Sequence, residues 1–381
     1  MTDGAAGTSG GVTGTSGGAR GTTGHVVLVG AGHAHLEVVR RAAALRAEGV
    51  GITVIAPRSF HYSGLASPVA AGLLAPQEAS IDVAALAARC GVAHRDAKVD
   101  AIDLPARRVR ADDGSWHHYT AVSFNVGSVS RTDQLVVAPR VTVTKPLASL
   151  QGLAAQLGRL AELGRPPRVA VVGAGPTGVE LAATIAVRLD RAAEVVLYGR
   201  GPDLLGGLPA RAGRLAARAL AERGVRSVLG TAVGEVGPGH VEVGGVRRPA
   251  DVVVLATGLV APPVVTDLGL GDARGVPTLA TLQHPDHPEV FAVGDGAHFL
   301  PRPLPALGVY GVRAAPVLVD GLRAFHTGQP QPTFAPQRRS LQVLELGDAD
   351  ALAVRAPLVW RGRGALALKR RIDRRWLDRY R

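Results

Sequence analysis

Two stretches of this chain, VLVGAGHAHLE (27–37) and VVGAGPTGVEL (171–181), carry glycines at a spacing that lets main chain approach a pyrophosphate. In a Gly-x-Gly-x-x-Gly turn the first glycine permits a tight exit from a strand, and the second clears room for the phosphates. The third lets the following helix lie close to the strand, with its N-terminal amides and dipole facing the anion. The second stretch has all three, Gly173, Gly175 and Gly178, with Thr177 at the helix start. The first keeps Gly30 and Gly32 but puts His35 in third place, after His33 at the helix start. His35 is therefore expected to lean outward. A third candidate, VFAVGDG (290–296), places Asp295 beside Gly294 at a strand end, where a carboxylate and amides can receive a ribityl chain and phosphate.

The strand after such a turn usually ends in an acid that binds the ribose hydroxyls. Here EVVLYGR ends in Gly199 and Arg200, which leans toward a 2′-phosphate or toward no strong choice. VIAPRS offers Pro57 and Arg58 at the matching place in the first half. Histidine pairs at 33–35 and 117–118 lack a ligand set at zinc spacing, so no metal is expected. His61 and Tyr62 read as a channel border or a satisfied turn pair, and Cys90 as a core thiol.

These residues need strands and helices to hold them. Apolar runs at 25–30, 51–57, 121–128, 168–173, 194–199, 250–258 and 290–296 read as buried strands, several closed by glycine. Helical patterns follow at 33–48 and 175–189, so a strand-helix-strand start occurs twice. A 381-residue chain is long for one core and suggests two domains. Residues 1–24, rich in Gly, Thr and Ser and without a secretory pattern, read as a disordered tail. One cysteine forms no internal disulfide and supplies no dithiol pair, which points to an intracellular, cytoplasmic protein.

The net charge of +12 draws anions, but no helix-turn-helix or aromatic platform accompanies it, so nucleic acid is not expected as a partner. In the C-terminal ALALKRRIDRRWLDRYR, Leu366, Leu368, Ile372, Trp376 and Leu377 recur at roughly helical spacing among arginines. Such a helix could lie on an anionic membrane surface at the inner face, or pack its apolar side on the body.

The paired fingerprints, ATG at 256–258 and FAVGD at 291–295 resemble the two-dinucleotide-binding-domain flavoproteins of the pyridine nucleotide-disulfide oxidoreductase superfamily. Within it the chain looks most like the FAD-dependent, type II NADH dehydrogenase-like group. It is particularly similar to the flavoprotein module sometimes fused to selenophosphate synthase. The closer match rests on GAGHAHLEVVRR (30–41), YSGLASPVAAG (62–72), SFNVGS (123–128) and TKPLASL (144–150). LPALGVYGVRAAPVLVDGLRA (304–324) and KRRIDRRWLDRYR (369–381) extend it.

The resemblance implies an α/β fold with two Rossmann-like domains. A discontinuous FAD domain (25–143 and 257–330) would enclose an NAD(P)H domain (144–256), followed by a C-terminal region (331–381). It implies that Gly30, Gly32, His33 and His35 meet the FAD pyrophosphate, and Asp295 with Gly294 the ribityl end. Arg58, Asn125, Gly127, Gly258 and Tyr310 would border the cofactors, with Gly173, Gly175, Thr177, Gly178 and Arg200 on the nicotinamide nucleotide. Glu180 would stand near the nicotinamide or flavin edge, and Lys145 would touch flavin; these two are the catalytic candidates. The reaction implied is hydride transfer from NAD(P)H to FAD and then to a quinone-like acceptor. A nucleotide-binding redox sensor with little turnover, and a selenium-related flavoprotein, are the competing readings.

Overall fold

The computed structural model describes residues 24–139, 141–160 and 164–381. The tail expectation lies outside the described residues except at Gly24, which opens the first strand, Gly24–Val29.

Two five-stranded parallel sheets organise the chain. In the first, Gly24–Val29 is flanked on one side by Val50–Ile55 and then Ala93–Arg95. Ala121–Phe124 lies on its other side, and Val290–Ala292 returns beyond it from late in the chain. The second sheet repeats this order around Arg168–Val172. Glu194–Gly199 and Arg226–Leu229 lie to one side, Val252–Leu255 and Thr142–Val143 to the other. Parallel strands covered on both faces read as unbroken Val/Ile/Leu runs, and Val27, Leu28, Val171 and Leu197 have no exposed surface.

The helix after each central strand fixes where its turn points. His33–Arg40 packs along the long helix Gly308–Thr327, and Pro176–Arg188 packs over the second sheet. The amphipathic stretch 147–163 forms a 3-10 turn at Leu147–Leu150 and a helix at Leu153–Leu160; residues 161–163 are outside the described set.

The region after 330 is more than a polar tail. Gln342–Gly347, Asp350–Arg355 and Leu358–Arg361 make an antiparallel sheet, and Arg363–Leu377 is a helix. Leu344, Leu346, Leu352 and Val354 join the core of the second sheet. Trp376, Leu377 and Tyr380 join the core of the first. The C-terminal segment thus clamps both halves together by burying apolar side chains in each.

Candidate functional site

The second fingerprint shows three glycines used for three different reasons. A Cβ on Gly173 (φ +122°) would stand 2.1 Å from the Ala256 carbonyl oxygen, so only glycine can make this turn. A Cβ on Gly178 would stand 1.7 Å from the Gly173 carbonyl oxygen, which is the close strand-helix approach. Gly175 has nothing within 4 Å of that position, because it faces a cavity. The cavity measures about 620 Å³ and is lined by Gly173, Gly175, Thr177, Arg200 and Gly258 among others. The Arg200 guanidinium donates to Gln134 Oε1 at 2.7 Å across its rim.

A neighbouring cavity of about 290 Å³ shares Arg131, Leu259, Ala306 and Leu307 with the first. Gly294, Asp295 and Tyr310 line it. The Asp295 carboxylate accepts the Ser128 hydroxyl at 3.0 Å, and Lys145 Nζ stands 4.0 Å from the same oxygen. Gly127 (φ +76°) faces open space where a side chain would intrude. Thr278, in the cavity wall, has a buried hydroxyl without a partner, a polar group left for a ligand.

The first fingerprint is built differently from expectation. His35 does not lean outward: it is fully buried, with Nδ1 2.6 Å from the Gly30 carbonyl and Nε2 2.8 Å from Ser123 Oγ. Both ring nitrogens are spent inside the protein, so His35 cannot touch a cofactor; it stitches helix to sheet where the third glycine would allow bare contact. Burial pushes its pKa down to about 4, against the opposing pull of the Gly30 carbonyl. Asn125 is likewise a positioning residue. Its Oδ1 accepts the N–H groups of Ala34 (3.1 Å) and His35 (3.4 Å), while Nδ2 donates to the Val293 carbonyl. This amide caps the helix from a neighbouring strand end, and a Cβ on Gly32 would strike it at 2.4 Å.

His33 stands at the helix start with its ring against Phe60 (5.2 Å), Tyr62 (5.9 Å) and Trp376 (4.8 Å). Burial, then the nearby Lys145 cation, push its pKa down to about 3, so it is neutral. Arg58 is exposed and paired with Asp82 at 2.9 Å, and lines neither cavity. Its main-chain N–H donates to Asp96 Oδ1 at 3.1 Å. An acid, Asp96, thus stands beside this strand end; it lies beyond the next strand and escapes a reading of VIAPRS alone.

Glu180 is not at either cavity. Its carboxylate keeps some accessible surface but sits deep in protein, accepting the Glu345 main-chain N–H at 2.7 Å. Burial pushes it up to about 7, while the Lys369 ammonium pulls the other way. Lys369 is 5% exposed, donates to Asp373 at 2.7 Å and also bonds the Gly64 carbonyl. The Tyr62 hydroxyl donates to Asp373 at 2.9 Å, and its ring stacks on Trp376 at 4.6 Å. This buried group of Glu180, Lys369, Asp373 and Tyr62 escaped sequence reading. Its one signal is Lys369 and Asp373 four apart, on the same face as Trp376.

The C-terminal helix spends its apolar side on the body. Leu366, Trp376 and Leu377 are buried, leaving Ile372 as the exposed large apolar residue of the helix. Those three side chains are thus engaged within the protein and are not free to enter a membrane. Among the described residues, no helix is long and apolar enough to cross a membrane and no group of side chains could hold a metal ion.

A family model described as pyridine nucleotide-disulphide oxidoreductase matches residues 24–315. The chain belongs to this family. An NADH dehydrogenase-like protein of Mycobacterium tuberculosis is 31% identical over 71% of this chain and 72% of its own length. Demethylphylloquinone reductase of Synechocystis is 29% identical over 56% of this chain and 55% of its own. The fold matches that of NDH2 from Plasmodium falciparum in complex with NADH: TM-score 0.81, 12% identity, 93% of this chain and 94% of that one.

FAD and a nicotinamide nucleotide are the cofactors of this oxidoreductase family. The residues present fit a nicotinamide nucleotide in the larger cavity and the ribityl end of FAD in the smaller one, while Gly30, Gly32 and His33 line neither. Gly175 and Gly127 leave open space where a side chain would block a ligand, and Thr278 and Asp295 offer polar atoms to the smaller cavity. The disulphide of the family's name is absent from this oxidoreductase, whose single cysteine, Cys90, is a half-buried free thiol.

Proposed function

We propose that this oxidoreductase is an FAD-dependent NAD(P)H dehydrogenase that passes electrons to a quinone-like acceptor. Its place is beside the type II NADH dehydrogenase-like flavoproteins, close to the module fused to selenophosphate synthase. One observation carries the reading: the cavity under Gly175 and the cavity at Asp295 share a wall of Arg131, Leu259, Ala306 and Leu307. A nucleotide held in the cavity under Gly175 would therefore lie against the same side chains that bound the Asp295 cavity.

FAD held by the residues named below would supply two-electron chemistry, accepting a hydride from the nicotinamide and delivering both electrons to the acceptor. The chain's own residues bind, orient and exclude water. Gly173, Gly175, Thr177 and the helix Pro176–Arg188 receive the nucleotide pyrophosphate. Gly30, Gly32 and the helix start at His33 receive that of FAD, with Asp96 offering a carboxylate at the adenosine end. Asp295, oriented by Ser128 and faced by Lys145, holds the ribityl hydroxyls. Reduction of a quinone consumes two protons per two electrons, one accompanying the hydride and one from solvent. Glu180, held up to about 7 by burial, is the group whose proton could serve that step, with the Lys369 ammonium acting on it through charge.

The quinone assignment draws on the Synechocystis reductase. The exposed Arg371, Arg374 and Arg375 give an electrostatic attraction to an anionic surface in place of insertion. Anaerobic mixing with NADPH or NADH tests the reading: a yellow protein bleaches and regains colour with a quinone. A protein that purifies without flavin, or stays yellow with both nucleotides, overturns it.

A further inference from the structure

We propose that the cavity under Gly175 selects a nucleotide carrying a 2′-phosphate, NADPH over NADH, and that Arg200 is the residue that selects it. The inference rests on the proposed placement of a dinucleotide in that cavity.

A ribose with free hydroxyls is usually gripped by a carboxylate at the end of the second strand. Here that place is Gly199, and it is sealed. A Cβ there would stand 2.6 Å from Ala174 Cβ and 2.8 Å from Leu229 Cδ2. The packing of fingerprint turn against strand end leaves no volume for an acid. The next residue, Arg200, lines the cavity, and its guanidinium is held over the rim by Gln134 Oε1. One Arg200 nitrogen is committed to Gln134, and the rest of the planar fork can face a phosphate.

The charge around the rim has the same sign. Two guanidiniums, Arg131 and Arg200, line the cavity, against one carboxylate, Asp203. Asp203 is exposed and lies past the turn that follows Arg200. Arg131 itself reaches Asp133 at only 3.9 Å, so its charge is weakly spent. A dianionic 2′-phosphate at the Arg200 guanidinium gains charge-assisted bonds that a neutral hydroxyl pair cannot make, in a rim whose remaining charge does not oppose it.

The test uses adenosine 2′,5′-bisphosphate and 5′-AMP, titrated calorimetrically against the full chain, with no flavin chemistry in the readout. The bisphosphate is expected to bind roughly tenfold tighter or better than 5′-AMP. Arg200→Ala, at an exposed position, should bring the ratio of the two affinities to about one, and Arg200→Lys should keep part of it. Equal affinities in the wild type, a preference that survives Arg200→Ala, or binding of neither ligand would each overturn the inference. If the preference is found while anaerobic bleaching fails, the proposed dehydrogenase function falls and the nucleotide selection stands.

Discussion

The Glu180 carboxylate accepts the main-chain N–H of Glu345 at 2.7 Å, joining the helix behind the second fingerprint to the C-terminal hairpin. The joint is titratable. Burial raises this carboxyl from an ordinary 4.5 to about 7, so the folded protein holds the proton more tightly than the unfolded chain does. Stability from that difference is complete below about pH 4.5 and is lost as pH rises through 7. Glu180→Gln should therefore match the wild type near the low end and gain on it above neutrality, by on the order of 2 kcal/mol. Denaturant melts across that range check this. A difference that does not change with pH would show that Glu180 titrates normally. In turnover, the same variant should lose a falling limb near pH 7 in the acceptor half-reaction.

Gly175 and Gly178 should respond in opposite ways. Gly175→Val adds bulk to an open cavity and leaves the fold intact, so reduction of flavin by the nucleotide is lost while flavin stays bound. Gly178→Ala puts a methyl group 1.7 Å from the Gly173 carbonyl, so the protein itself should be destabilised, by about 1–3 kcal/mol. Thermal melts of the two, beside their flavin content, separate the effects.

Asp295→Ala should lose flavin on purification, read from the flavin-to-protein absorbance ratio. The substitution also leaves Lys145 without its carboxylate and Ser128 without an acceptor. A variant that retains stoichiometric flavin would remove Asp295 from the cofactor site.

His35→Ala tests the stitch that replaces the third glycine. It strips partners from Ser123 and the Gly30 carbonyl, for a loss of about 1–3 kcal/mol at pH 8. Because the folded pKa is depressed to about 4, the wild-type contribution is present above about 6.5 and is lost as pH falls through 4. The gap between variant and wild type should close on acidification over that window. A constant gap would mean that the ring is not held neutral.

Most of the fold was legible because glycines report backbone needs directly. Gly173 and Gly178 have their required contacts within the same strand-turn-helix, so local spacing reveals them. The apolar strand runs gave the two-sheet plan for the same reason: a buried parallel strand has no polar face to hide. What escaped depended on distant partners. Nothing around His35 announces that Ser123 waits across the sheet, so its inward turn was invisible and it was expected to lean out. Glu180 was expected near a ring, and meets a hairpin far along the chain. Lys369 and Asp373 read as ordinary surface charges in an arginine-rich helix, yet they neutralise each other on its buried side. Asp96 went unseen because it approaches Arg58 from a different strand end.

Rapid anaerobic mixing of the flavin-loaded wild type and Gly175→Val with NADPH, followed at the flavin absorbance band, asks whether the reductant reaches flavin through the cavity under Gly175. Fast bleaching is expected of the wild type, at least a hundredfold slower bleaching of the variant (about 3 kcal/mol in the barrier), and equal flavin content in both. Equal bleaching rates in the two proteins would mean that the reductant reaches flavin by a route that avoids the cavity under Gly175.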